Sequence, residues 1–141
     1  MNIEKYPDGT SYAVVHPMQK FTFRINSYED LWHLNQLVDA QNNLGVIPTI
    51  TIPNLIDAQA DRRFDKNESS GFKLVCKFLN QMEAAFRTFH PHNQEVVEAL
   101  LDNVEIIDNS EFIEKVLDKL RPINNLILMS TDGGSYKWIN K

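Results

Sequence analysis

The segment Ile52–Leu74, IPNLIDAQADRRFDKNESSGFKL, decides how the rest of the chain is read. It follows the β-branched apolar run VIPTITI, residues 46–52, and runs into helical spacing at Phe72, Val75, Cys76, Leu79 and Met82. The polar stretch between them is too long for a simple turn. Connections in an alternating strand and helix protein mostly take roughly 2–6 residues, so a longer charged one at the carboxyl end of a strand is a place to hold a ligand. Asp57, Gln59, Asp61, Arg62, Arg63, Asp65 and Lys66 supply both charge signs there, as a polyphosphate with its metal requires.

VIPTITI itself is short and apolar on both faces, as a strand covered by helices on either side would be. Upstream, Tyr6-Pro7-Asp8-Gly9 is a turn signal, followed by the strand-like SYAVV (residues 11–15). After His16-Pro17 comes KFTFRI (residues 20–25), in which Phe21, Phe23 and Ile25 alternate with polar residues, and these two segments are expected to pair antiparallel. Ser27 is a candidate N-cap with Glu29 and Asp30 in the first turn; Leu31, Leu34, Leu37, Val38 and Leu44 then recur at helical spacing until Gly45. Downstream the pattern predicts a helix from about Ser70 to Met82, a strand at AFRTFH (residues 85–90) and a short helix carrying Val96, Val97, Leu100 and Leu101. A strand at VEII (residues 104–107), a helix faced with Phe112, Ile113, Val116, Leu117 and Leu120, and a last strand at NLILMS (residues 125–130) complete it. This alternation predicts one α/β domain over residues 1–141, with a mainly parallel sheet, helices on both faces and an N-terminal antiparallel strand pair.

With 141 residues the chain is long enough for one real core, and 43% hydrophobic with 23% charged residues is ordinary for a globular protein. A net charge of −5 argues against a non-specific nucleic-acid binder, whose affinity comes from Lys and Arg against phosphate, so any phosphate site must be local. The single cysteine, Cys76, falls on the apolar face of a predicted helix and reads as a buried, inert thiol. No run approaches the roughly 18 apolar residues of a membrane span, and MNIEKYPDGT has no apolar signal-peptide core, so a cytoplasmic protein is expected.

Loops after predicted strands carry the polar chemistry at 57–66, 90–93 and 131–135, and a parallel topology brings them to one sheet edge. The last, STDGGSYK (residues 130–137), passes through two glycines into an expected helix, where backbone N–H groups can approach an anion. His90 and His92 can converge with Asp132, but no cysteine or further histidine lies near enough in sequence to complete a zinc set, so an ordinary loop pair is the plainer reading. Taken alone, Asp132 is a turn residue, Arg62 and Arg63 are solvated charges, and Trp32 and Trp138 are core or subunit-contact residues.

Four short motifs in this order resemble the N-terminal half of ribose-phosphate diphosphokinase (phosphoribosyl pyrophosphate synthetase), in a divergent form like those of phages and some bacteria. Ile52-Pro53 leading to Ala58-Gln59-Ala60-Asp61-Arg62-Arg63 is similar to that family's strand end followed by Ala-Arg-Gln-Asp and basic residues. His90-Pro91-His92 resembles its Asp-x-His motif, Ser130-Thr131-Asp132-Gly133-Gly134 its Ser-Pro-Asp-Ala-Gly loop, and Tyr6-Pro7-Asp8-Gly9-Thr10 its aromatic-x-Asn/Asp-Gly-Glu stretch. The resemblance implies a phosphoribosyltransferase-like fold in a homo-oligomer. It also implies transfer of the β,γ-diphosphoryl group of ATP to ribose 5-phosphate with Mg²⁺, giving phosphoribosyl diphosphate and AMP, chemistry that rests on positioning and neutralising phosphates. By the same resemblance His92 and Asp132 hold Mg²⁺, and Gln59, Asp61, Arg62 and Arg63 lie along the ATP. Tyr6 and Asp8 would contact the adenine of ATP bound to a neighbouring subunit.

The departures bear on activity. The family's Arg-Gln pair is Gln59-Ala60 here, which removes a guanidinium able to grip phosphate bidentately; its metal-side Asp is His90, a poor match for a hard cation; its Glu is Thr10. The family's other half, with its catalytic Lys and Arg loop and its ribose 5-phosphate loop, has no counterpart in these residues. The end at Lys141, two turns into the helix expected from Ser135, reads as that of a cut or degraded product, inactive alone. The alternative is a non-catalytic assembly or regulatory module of the same fold.

Overall fold

The structure is a computed structural model that describes residues 1–120. Strands β1 (Asn2–Lys5) and β2 (Ser11–Val14) pair antiparallel, with Ile3 opposite Ala13. Strands β3 (Lys20–Thr22), β4 (Thr49–Ile52), β5 (Ala85–Phe89) and β6 (Val104–Ile107) form a second sheet in that order, every neighbouring pair parallel. Between them run helices α1 (Tyr28–Asn43), α2 (Gly71–Leu79) and α3 (Gln94–Leu100). The chain divides into two compact units, 1–108 and 109–141, and helix α4 (Ser110–Leu120) is the described element of the second. The expected strand at 125–130 and the glycine loop with Asp132 lie outside the described residues.

The α/β class, the parallel sheet and the N-terminal antiparallel pair are as the alternation predicts, but the partners in that pair are different. SYAVV does not pair with KFTFRI. Tyr6-Pro7-Asp8-Gly9 is a hairpin turn, closed by Tyr6 N–H to Thr10 O at 2.8 Å and Gly9 N–H to Tyr6 O at 2.9 Å, with Gly9 at φ +88°. It therefore folds β2 back onto β1, a strand whose NIEK has one apolar residue and so no visible alternation. The segment between β2 and β3 is held instead by Gln41 of α1, fully buried, whose Nε2 donates to His16 O at 2.9 Å while its Oε1 accepts Met18 N–H at 3.0 Å. Burying an amide without partners would be costly; here both ends are satisfied, and the chain is steered away from β2 into β3.

Helix α1 begins where its sequence says it should. Ser27 accepts the Asp30 N–H at 3.2 Å and Asp30 reaches back to the Ser27 N–H at 2.9 Å, a complete capping box. At the other end Gly45, at φ +74°, donates to Asn42 O at 2.8 Å and stops the helix. The strand after it starts at Thr49 rather than at Val46, because the Val46 N–H is spent on Gln41 O at 3.0 Å and Pro48 has no N–H to give.

Parallel register sets Phe21, Ile50 and Phe86 side by side. With Ile52 they meet Leu31, Leu34 and Val38 of α1, Phe72, Val75, Cys76 and Leu79 of α2, and Val97 of α3 in one buried cluster. Helices α1, α2 and α3 each connect one parallel strand to the next and flank the sheet. The same topology sends the loops after β3, β4 and β5 to the carboxyl edge of the sheet.

Candidate functional site

Those three loops build one rim. Ile25 and Asn26 after β3, Asn54–Ala60 after β4, and His90–His92 after β5 line a groove of about 560 Å³. Gln59, Ala60 and His92 are shared with a second groove of about 640 Å³, completed by Asp61, Arg62, Phe64 and Glu68. Residues separated by some thirty positions in sequence therefore face the same space, as expected for the carboxyl edge of a parallel sheet.

The contact that fixes the rim is between Asp61 and Asn93. The Asp61 side chain is 7% exposed and its Oδ2 accepts from Asn93 Nδ2 at 3.2 Å. Asn93 is also the N-cap of α3, accepting the Val96 N–H at 3.3 Å. Asp61 thus turns inward, and the adjoining Arg62, whose Nε stands 4.0 Å from Asp61 Oδ1, keeps its guanidinium 78% exposed. An ion pair this loose and this solvated does little for stability, and the guanidinium stays available to an anion.

The loop beyond Arg62 is tied internally. Glu68 Oε2 accepts the Phe64 N–H at 2.9 Å and the Asp65 N–H at 3.3 Å, and Asp65 Oδ1 accepts the Asn67 N–H at 3.3 Å. Ser70 Oγ donates to Ala60 O at 3.3 Å, joining the two ends of the loop. Asp57 is held in the left-handed region at φ 60°, its Oδ2 accepting from Tyr28 Oη at 2.7 Å. That hydrogen bond to the carboxylate pushes the Tyr28 phenol above its ordinary value. The carboxylate lies where a Cβ on Gly71 would stand, 2.6 Å from Asp57 Oδ2, so glycine at the start of α2 lets the two approach.

Of the residues expected to meet ligand, Gln59, Asp61, Arg62 and His92 come together in the second groove. Arg63 lines a neighbouring recess with Phe64, Asp65 and Lys66 instead. Tyr6 and Asp8 belong to the hairpin turn. Tyr6 stacks on Tyr12 with ring centroids 4.4 Å apart, beside a separate groove that Trp32 also lines. Asp8 Oδ1 accepts the Thr10 hydroxyl at 2.7 Å and its N–H at 2.9 Å, and these bonds, the hydroxyl's first, hold the carboxyl below its usual range. His90 takes a positive φ of 32° as β5 ends, with its N–H on Ile107 O at 3.2 Å. Tyr28 and Phe64 line or brace the rim without having been singled out by sequence reasoning; a lone polar aromatic at a helix start and a phenylalanine among charges carry no periodic signal.

Among the described residues no three His, Cys, Asp or Glu side chains cluster to hold a metal ion. Of the expected Mg²⁺ ligands His92 is described and Asp132 is not. An imidazole nitrogen is a weak partner for a hard cation, and the inward Asp61 is already engaged by Asn93, so the described residues do not compose a Mg²⁺ site. The groove's lining includes one cation, Arg62, set against Asp61 and Glu68. No described helix is long and apolar enough to cross a membrane.

No protein-family model and no curated protein matches the chain. Among solved structures it is similar to phosphoribosylpyrophosphate synthetase from Mycobacterium smegmatis, with a TM-score of 0.76 and 14% identity. The similarity covers 99% of this chain and 51% of that one, so the chain spans about half the length of the solved enzyme. At that identity the likeness establishes the fold, an α/β arrangement around a parallel sheet like the one in that solved structure.

Proposed function

We propose that this chain is the nucleotide-side half of a ribose-phosphate diphosphokinase, supplying the ATP groove of an enzyme that makes phosphoribosyl diphosphate and AMP. One observation carries the reading: Gln59, Asp61, Arg62 and His92, from two loops at the carboxyl edge of a parallel sheet, line one groove. The fold likeness to the synthetase supports it. Phosphoryl chemistry asks a protein mainly for position and charge. Here the exposed Arg62 guanidinium and the Gln59 amide are the donors for phosphate oxygens, and Asp61 acts through Asn93 to hold the loop that presents them. The oxygen ligands a Mg²⁺ prefers would come largely from the nucleotide, with His92 and Asp132 as the residues proposed to approach it.

A second reading is a non-catalytic assembly or regulatory module, and the charge of the groove favours it: Arg62 faces two acids there, and Gln59-Ala60 stands where the family has Arg-Gln. Titration calorimetry of Mg-ATP into the chain separates the two. The first predicts saturable heat at submillimolar nucleotide. Heat of dilution alone at millimolar nucleotide, in a protein that sediments as a dimer or larger, selects the second.

A further inference from the structure

We infer that the groove along α1 docks an extended basic segment of a partner protein, one carrying two arginines four positions apart. The inference is independent of the nucleotide reading, because this groove shares no lining residue with the two at the carboxyl edge of the sheet. It is also larger than either, at about 820 Å³. One wall is a stripe of α1, Trp32, Asn35, Asp39 and Asn43, spaced by three or four positions and so in line along the helix. Gln36 Oε1 accepts the Ser11 hydroxyl at 3.1 Å, and Gln41 further along the helix holds His16 O at 2.9 Å. The chain from β2 onward therefore runs beside α1 in the same direction, which sets the turn at Tyr6 toward the Trp32 end. Asn42 Nδ2 donates to Glu83 O at 3.0 Å, which sets Glu83 at the other end.

The two ends share a preference for cations. At the first, Tyr6 and Trp32 are 54% and 52% exposed, and Tyr12 stacks on Tyr6. Tyr12 Oη donates to Glu4 Oε2 at 2.6 Å, so a carboxylate stands beside these rings. At the second end Asp39 and Glu83 are both exposed, Asp39 Oδ2 accepting Asn43 Nδ2 at 3.2 Å. Among the described residues no Lys, Arg or His lines the groove to neutralise them. Ring faces and carboxylates both attract a positive group and repel a phosphate. A guanidinium suits the rings better than an ammonium, being planar, more weakly hydrated and able to stack. The rise along α1 from Trp32 to Asn42 is about 15 Å, more than one head group can cover. Four residues of extended chain cover about 13 Å and bring the first and fifth side chains to the same face. One arginine on the rings thus lets a second meet Asp39 and Glu83.

Fluorescence anisotropy of a labelled Gly-Arg-Gly-Ser-Gly-Arg-Gly peptide titrated with the full chain tests the assignment. Saturable binding is expected, at least about threefold tighter than that of the same peptide with lysines in place of arginines. Trp32→Ala, and Asp39→Asn together with Glu83→Gln, should each weaken it roughly fivefold. Asp39→Lys together with Glu83→Lys should bind a peptide whose second arginine is replaced by glutamate more tightly than the wild type does, a gain that loss of folding cannot produce. No saturation at millimolar chain, equal affinity for the arginine and lysine peptides, or wild-type affinity in the variants at residues 39 and 83 overturns the docking site. Agmatine competing as well as the unlabelled peptide also overturns it, by making the groove a site for a small guanidine.

Discussion

Asn93 holds Asp61 and its own helix at once: Nδ2 donates to Asp61 Oδ2 at 3.2 Å while Oδ1 accepts the Val96 N–H at 3.3 Å. One side chain therefore caps α3 and ties the loop after β4 to the loop after β5. Replacing Asn93 by Asp separates the two jobs, because aspartate caps a helix as well as asparagine but offers Asp61 a second carboxylate in place of a donor. Asn93→Asp is expected to cost roughly 1–2 kcal/mol at neutral pH, read as a lowered urea midpoint. Asn93→Asp at wild-type stability would mean that the two loops are not coupled through this bond.

The capping box of α1 gives a pH dependence with a definite sign. Asp30 accepts the N–H groups of Asn26 and Ser27, both at 2.9 Å, and the Ser27 hydroxyl at 3.0 Å. The Asn26 bond first, then Ser27, holds its carboxyl below the usual range. A folded value below the unfolded one means the contribution is present above about pH 4 and is lost as pH falls through the lowered folded value. Asp30→Asn should therefore lower stability at pH 7 by roughly 0.3–1 kcal/mol, and the gap from wild type should close in acid. An equal gap at pH 7 and at pH 2 would contradict the capping role.

Much of this fold is legible in residues that obey a local rule. Ser27 with Asp30, Gly45, the alternation at Phe21 and VEII at residues 104–107 each lie where their element begins, ends or packs. The pairing of β2 was not legible, because β1 carries a single apolar residue and the decisive Gln41 bonds join segments far apart in sequence. The same holds for the site. Arg62 and His92 are visible as polar loop residues after strands, but that Asp61 turns inward onto Asn93 is a tertiary fact with no periodic trace.

Thr88 is buried at 1% exposure in β5, and its Oγ1 is the one buried side-chain polar atom without a hydrogen-bond partner among the described residues. A buried hydroxyl that gains no bond carries its desolvation cost uncompensated. Thr88→Val, which keeps the β-branched shape, is expected to raise stability by about 1 kcal/mol. A fall of that size in the thermal midpoint analysis would show that the hydroxyl is satisfied in solution.

Cys76 lies at 1% exposure on α2, and burial pushes its thiol up to about 11. Since the thiolate is the reacting species, alkylation of the native chain at pH 8 should proceed only as fast as the structure opens. Denaturant should accelerate it by orders of magnitude. Labelling at the rate of a free thiol in native buffer would contradict the packing of α2 against the sheet.

That separate loops at the sheet edge make one ligand site is tested most directly by a residue-resolved NMR titration with ATP. The account predicts that backbone signals of Gln59, Asp61 and Arg62 from one loop and His92 and Asn93 from the other shift together, along a single binding curve. Shifts confined to one loop, or gathered around Tyr6 and Trp32 instead, would contradict it.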